Sequence, residues 1–205
     1  MSSNTNTFPT FELERGLYDD GATLVCGVDE AGRGPLAGPV YAAAVVLPRD
    51  CVIAGLNDSK KLTPQARERL YDEIIALAVT YAVASADVAE IDALGILAAT
   101  HLAMNRAVAA LSPAPSIALV DGNQGKNLDF PHRLIVHGDA LSLSIAAASV
   151  LAKVERDRYM VELAARYPAY GFEQHKGYGT KAHYAALREL GATPEHRPLF
   201  LRKMH

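Results

Sequence analysis

At 205 residues, 50% hydrophobic and 21% charged, the chain has enough material for one well-buried core. Near-neutral mean hydropathy, nine Tyr, eleven Pro, no Trp and a formal charge of −3 exclude a disordered chain, a collagen-like repeat and a coiled coil. The apolar stretches 42–47 and 145–150 are far short of the ~20 residues that cross a bilayer, and residues 1–8 lack the basic and apolar regions of a signal peptide, so the expected location is the cytoplasm.

Cys26 and Cys51 sit among aliphatic neighbours, which excludes a disulfide scaffold and leaves a metal–thiolate cluster without ligands. Charge is unevenly distributed. Residues 1–138 carry 10 Lys and Arg against 16 Asp and Glu, a net of −6, whereas residues 139–205 carry 10 against 7, a net of +3. Such segregation suits a nucleic-acid partner held by one part of the chain while carboxylates elsewhere act locally.

Residues 1–20 are polar and without periodicity and read as a tail or lead-in. Segments 23–28 and 39–47, rich in Val, Ala and Leu and bounded by glycines, predict two buried strands joined as a central hairpin. Thr63 followed by Pro64 is a helix start, and Leu70, Ile74 and Leu77 continue the apolar stripe to about residue 78. A strand is expected over 80–88 and a helix over 94–111, stopped by Pro113 and Pro115. Short strands follow at 117–120 and 134–137, then a helix from 141 to about 166 and a last helix over 181–190. Strands alternating with helices after an opening hairpin imply an α/β sandwich with a mixed sheet. The expected division is a lead-in (1–20), a main domain (21–166) and a C-terminal helical extension (167–205).

The chemistry is concentrated where apolar strands stop. Asp29 and Glu30 close the first strand, Asp121 closes the run 117–120, and Asp139 follows 134–137. Each alone reads as a turn or cap residue. Together they fit the rule that ligands bind beyond the strand ends of an α/β sheet. Two carboxylates ~5 Å apart at an effective dielectric of ~20 repel by roughly 3 kcal/mol, and four make about six such pairs. Protons or divalent cations must relieve that repulsion, and an all-oxygen donor set without Cys or a spaced His pair points to Mg²⁺ or Mn²⁺ rather than zinc. Carboxylates holding two such ions suit in-line displacement at phosphorus.

Gly32-Arg33-Gly34 imitates part of a dinucleotide fingerprint, but a strand follows instead of a helix, and Asp29 and Glu30 would repel a pyrophosphate. Bare glycine amides there suit close approach to a sugar–phosphate backbone. Ser59-Lys60-Lys61 supplies cations beside a helix start, and Lys176-Gly177-Tyr178-Gly179 supplies an aromatic suited to pack on a sugar or base. A simple binding module would keep the basic surface but need no carboxylate cluster, and a junction resolvase on the same fold would lack the glycine loop.

With these residues in place, the chain resembles bacterial ribonuclease HII. The resemblance rests on the stretch Gly27 to Val40 (GVDEAGRGPLAGPV), on Asp58 to Leu62 (DSKKL), on Asp121-Gly122-Asn123 and on Gly138-Asp139-Ala140. It continues through 144–149, 152–157 and His175 to Thr180 (HKGYGT). It implies an RNase H-like three-layer fold and an endonuclease that cleaves the RNA strand of RNA–DNA hybrids and ribonucleotides embedded in duplex DNA, leaving 5′-phosphate and 3′-hydroxyl ends. By the same resemblance, Asp29, Glu30, Asp121 and Asp139 are catalytic metal ligands for Mg²⁺ or Mn²⁺. Gly32, Arg33 and Gly34 read the ribose 2′-hydroxyl, Tyr178 packs at the RNA-to-DNA junction, and Ser59, Lys60 and Lys176 contribute to substrate binding. A monomer without membrane association is expected. Asp157, several turns into a predicted helix, is left structural. Two positions depart from the family pattern: Leu199 stands where a hydroxyl residue is expected, and His137 where a lysine is frequent.

Overall fold

A computed structural model of the chain describes residues 8–202. In chain order, helix α1 (Glu12–Asp19) leads to strands β1 (Val25–Ala31) and β2 (Val40–Val46), then α2 (Pro64–Leu77), β3 (Thr80–Ala86), α3 (Val88–Leu94), α4 (Ile96–Ala109), β4 (Ile117–Asp121) and β5 (His132–Ile135). Helices α5 (Leu143–Arg166), α6 (Phe172–His175), α7 (Lys181–Leu190) and α8 (Pro198–Leu201) follow. The strands form one mixed sheet in the order β3-β2-β1-β4-β5. The β1–β2 and β2–β3 pairs are antiparallel; β1–β4 and β4–β5 are parallel.

The central strands are apolar on both faces because both are covered. On one face Ala43 and Val45 pack with Leu70 and Ile74 of α2 and Ala147 and Leu151 of α5. On the other, Cys26, Val28, Ala42 and Ala44 meet Ile91 of α3 and Ala99, Ala103 and Met104 of α4. Gly27 lets α5 touch β1 backbone to backbone: a Cβ there would stand 2.1 Å from the Ser144 carbonyl carbon. At 24 residues, α5 is about 36 Å long and outruns the seven-residue strands. Its far end, through Met160 and Leu163, gathers Tyr170, Phe172 and Leu187 over Leu36 and Ala37. The C-terminal helices are thereby seated on the loop that follows β1.

Local signals explain most boundaries. Thr63 accepts a hydrogen bond from the Ala66 N–H with Pro64 in the first helical turn, as expected for α2. The strand expected to reach residue 88 stops at Ala86, because Asp87 and Glu90 form a reciprocal capping box that starts α3. Gly95, at φ +80°, separates α3 from α4, so the helix expected from 94 begins at Ile96. The strand expected over 134–137 ends at Ile135, and Gly138–Ala140 form a 3-10 turn after His137, at φ +57°. Ser142, not Asp139, caps α5.

The polar lead-in requires a correction. Residues 1–7 lie outside the described residues, but Glu12–Asp19 are helical. Glu14 is fully buried, its Oε1 accepting from Ser142 Oγ at 2.6 Å and the Ser144 N–H at 2.9 Å, while Leu17 packs with Val25, Leu119 and Ile145. A charged residue turned inward to cap another helix has no apolar periodicity, so the segment reads as polar coil. Among the described residues no helix is long and apolar enough to cross a membrane.

Candidate active site

Strands β1, β4 and β5 run parallel and end on the same edge. Register pairs Val28 with Val120 and Asp121 with Ile135, which sets Asp29 beside Asp121. The Gly138 N–H donates to Asp121 Oδ1 at 2.7 Å, drawing the turn that carries Asp139 onto the end of β4. Asp29 and Glu30 alternate across the pleat. Asp29, in phase with Gly27, faces α5 and Ser149; Glu30, in phase with Cys26 and Val28, faces Thr100 and His101 of α4. Asp121 stands between them, and its field reaches both.

Asp29 and Asp139 are buried, Glu30 and Asp121 half-buried, and the acids stand within one another's field. Burial first, then Glu30 and Asp121, hold the Asp29 carboxyl well above its ordinary range. Burial also raises Glu30, against the opposing pull of the Arg33 guanidinium, and raises Asp139 together with Asp58 and Asp121. Lys60 Nζ lies 3.8 Å from Asp139 Oδ2; burial opposes its charge, but Asp29, Asp58 and Asp139 raise its pKa overall. Asp58, whose side chain also accepts from the Lys60 N–H at 2.9 Å, is a fifth acid at the site that the strand-end pattern misses, since it lies in a loop.

Among the described residues, no three His, Cys, Asp or Glu side chains are grouped closely enough to hold a metal ion by themselves. The acids offer oxygen donors alone, so an ion there would draw the rest of its shell from water or a bound phosphate. That suits Mg²⁺ or Mn²⁺, which bind through one or two carboxylates while water and substrate phosphate complete the shell.

Beside the acids lies a cavity of about 400 Å³ lined by Glu30, Gly32, Gly34, Lys60, Ser149 and Tyr178. The structure therefore brings most of the expected binding residues to one place. Arg33 reaches back from the rim to Glu30 Oε1 at 3.4 Å, and buried Ser59 accepts from Ser149 Oγ at 2.8 Å. The Tyr178 ring is 45% exposed, its Cε1 being 3.7 Å from where a Gly34 Cβ would stand. Lys176 is the exception. Its ammonium donates to the Glu173 carbonyl, and its side chain lines a neighbouring groove with Arg67, Lys153 and Arg158 instead of the acid cavity. The backbone at Lys176 is left-handed, φ +50°. Asp157 pairs with Lys153 at 2.6 Å and Arg67 at 4.0 Å, away from the strand ends.

Sequence reading also missed Arg156, which lines the cavity while buried among backbone carbonyls. Flanked by Glu155 and Asp157 in a helix, it carries the pattern of a solvated face.

A mixed sheet between helical layers, with acids at the ends of adjacent parallel strands, defines a hydrolase of the RNase H-like fold. The Ribonuclease HII family model matches residues 26–205. Ribonuclease HII of Burkholderia mallei is 58% identical over 183 residues, covering 89% of this chain and 86% of the relative. Among solved structures, the ribonuclease H2 of Pyrococcus horikoshii superposes with a TM-score of 0.72 at 28% identity, covering 89% of this chain and 97% of that one. RNase HII of Archaeoglobus fulgidus, solved in complex with PCNA, gives 0.71 at 25% identity, with coverage of 85% and 94%. The chain belongs to the ribonuclease HII family and is a type 2 ribonuclease H, an endonuclease of RNA–DNA hybrids.

Proposed function

We propose that the chain hydrolyses phosphodiester bonds on the RNA strand of RNA–DNA hybrids and at ribonucleotides embedded in duplex DNA, leaving 5′-phosphate and 3′-hydroxyl ends. The observation that carries this reading is the placing of Asp29 and Asp121 side by side on adjacent parallel strands, with Asp139 in the turn after β5 that is drawn onto the end of β4, beside a glycine-lined cavity. In this reading Asp29, Glu30, Asp121 and Asp139 hold two Mg²⁺ or Mn²⁺ ions. When bound, such a pair lowers the pKa of an attacking water and stabilises the leaving oxygen. The mutual repulsion of the acids is relieved by the cations, which couples their binding to the charge already stored in the fold.

The remaining residues select the substrate. Backbone groups of Gly32–Gly34 approach the ribose 2′-hydroxyl, where a side chain would block access. Tyr178 packs on the next sugar or base. Lys60 and the rim guanidinium of Arg33 face the phosphates, and the C-terminal extension carrying Tyr178 contributes to binding the duplex. Lys176 serves the neighbouring groove, where it meets a more distant phosphate. Labelled duplexes containing zero, one or many ribonucleotides, incubated with Mg²⁺, Mn²⁺ or chelator, test this directly. Metal-dependent cutting of the last two and none of the first is expected; equal cutting of all-DNA duplex would refute it.

A further inference from the structure

The dipeptide His196-Arg197 has bonds in two directions. Arg197 is fully buried and donates only to backbone carbonyls of the loop after β1: Nε to Gly38 at 2.8 Å, Nη1 to Arg33 at 3.1 Å and Nη2 to Gly32 at 2.7 Å. A buried guanidinium bonded to three carbonyls of one loop leaves that loop a single path.

His196 points the other way. Its Nδ1 accepts the Thr193 N–H at 2.9 Å, so the ring proton sits on Nε2, 3.0 Å from Nε2 of His183. His183 then carries its own proton on Nδ1 and donates it to the Tyr178 carbonyl at 2.9 Å. Stacked on His183 with centroids 4.4 Å apart, His175 takes the Gly177 N–H on Nδ1 at 3.2 Å and gives its Nε2–H to the Tyr170 carbonyl at 2.8 Å. Each ring nitrogen has a partner, and the partners assign one neutral tautomer to each ring. Burial among Phe172 and Tyr170 favours that uncharged state for His183 and His196.

We propose that His183, His196 and Arg197 are positioning residues that set the separation between the Gly32–Gly34 loop and the Tyr178 ring, and so determine how sharply the cavity discriminates a ribonucleotide and its neighbour. The inference rests on the reading above in which that loop and that ring contact the substrate. Tyr178 lies between Gly177, at φ +81°, and Gly179, so the segment has little stiffness of its own. Ordering a loose ring at the moment of binding costs affinity; a relay that orders it beforehand removes that cost.

The test is a double-mutant cycle on kcat/KM for a duplex with one embedded ribonucleotide, all variants being assayed below the lowest melting midpoint. His196→Asn places Oδ1 where Nδ1 stood, keeping the Thr193 N–H satisfied while removing the link to His183. It is expected to lower kcat/KM by about tenfold in the wild-type background and by less than about twofold beside Tyr178→Ala, because the relay acts through that ring. Equal losses in both backgrounds overturn the proposal. His183→Asn, whose amide N–H can still reach the Tyr178 carbonyl, is expected to retain most of the activity that His183→Ala loses; a folded His183→Asn as impaired as His183→Ala also overturns it. The underlying reading fails separately, if Tyr178→Ala loses equally on a single ribonucleotide and on a long hybrid, while the cycle still reports whether the relay acts through Tyr178. A Tyr178→Ala with no loss on either substrate overturns both.

Discussion

The side chain of Arg156 fills the space that any side chain at Gly32 would need: a Cβ on Gly32 would stand 2.0 Å from Arg156 Nε. The guanidinium is buried and donates to the carbonyls of Pro39, Ala37 and Lys176, so it holds the loop after β1 against the loop that carries Tyr178. Glycine at 32 is therefore required twice, by its φ of +99° and by its neighbour.

Gly32→Ala should lower stability by about 3 kcal/mol, combining the cost of a left-handed backbone with displacement of a buried guanidinium from its carbonyls. Gly34→Ala should change stability by less than about 0.5 kcal/mol, since its Cβ meets only Tyr178 Cε1, at 3.7 Å. It should still slow cleavage at a single ribonucleotide by about tenfold, because that Cβ lies in the cavity. Denaturant midpoints and cleavage rates for the two variants separate the effects; a Gly32→Ala as stable as wild type contradicts the packing described.

Asp29→Asn, Glu30→Gln, Asp121→Asn and Asp139→Asn should each reduce cleavage severely while leaving the metal-free fold as stable as wild type or more so. The sign follows from the raised carboxyl pKa of Asp29, Glu30 and Asp139. In the unfolded chain these groups ionise near pH 4, but in the fold they ionise later, so stability is full at acid pH and declines as pH rises through the folded pKa. Amides remove that decline. Melting curves at neutral pH in chelator, and again with Mg²⁺, check it: added Mg²⁺ should raise the midpoint of wild type more than that of Asp29→Asn.

Tyr178→Ala should reduce cleavage at one embedded ribonucleotide by roughly 10- to 100-fold, the equivalent of about 1.4 to 2.7 kcal/mol and within the range of a stacking contact. The loss on a long RNA–DNA hybrid should be smaller, and Tyr178→Phe should keep much of the activity if ring packing outweighs the hydroxyl. Rates on both substrates decide whether the ring reads the neighbour or only supports its loop.

The histidine relay gives the fold an acid limit. Burial, then His183, push His196 down to about 4, so the unfolded chain takes up a proton near pH 6.5 while the folded ring resists it. Its contribution is complete above about pH 7 and is lost as pH falls from about 6.5 to about 4, amounting to about 3 kcal/mol at the lower end. The groups around the ring are His183, Tyr170, Phe172 and Thr193, with His175 adding its field and Arg197 next in the chain. The carboxyl groups of Asp29, Glu30 and Asp139 work in the opposite direction, so the informative quantity is the stability difference between wild type and His196→Asn. That difference should shrink between pH 7 and pH 4.5; a constant difference would remove the ring from the pH response.

The sequence by itself determined the sheet and the acids at its edge. Apolar runs closed by Asp29, Asp121 and Asp139, with glycine turns beside them, are local signals, because a buried strand must be apolar along its length and must change composition where it leaves the core. The Thr63-Pro64 start of α2 and the period of α5 are equally local. Only the tertiary structure decided which polar residues turn inward. Glu14 caps a helix 128 residues away, Arg156 and Arg197 hold the glycine loop from beneath, and Asp58 joins the acids from a loop. Their partners are backbone groups or charges distant in the chain, and a charged side chain that pairs with a distant carbonyl leaves no periodicity in its own segment to distinguish it from one that faces water.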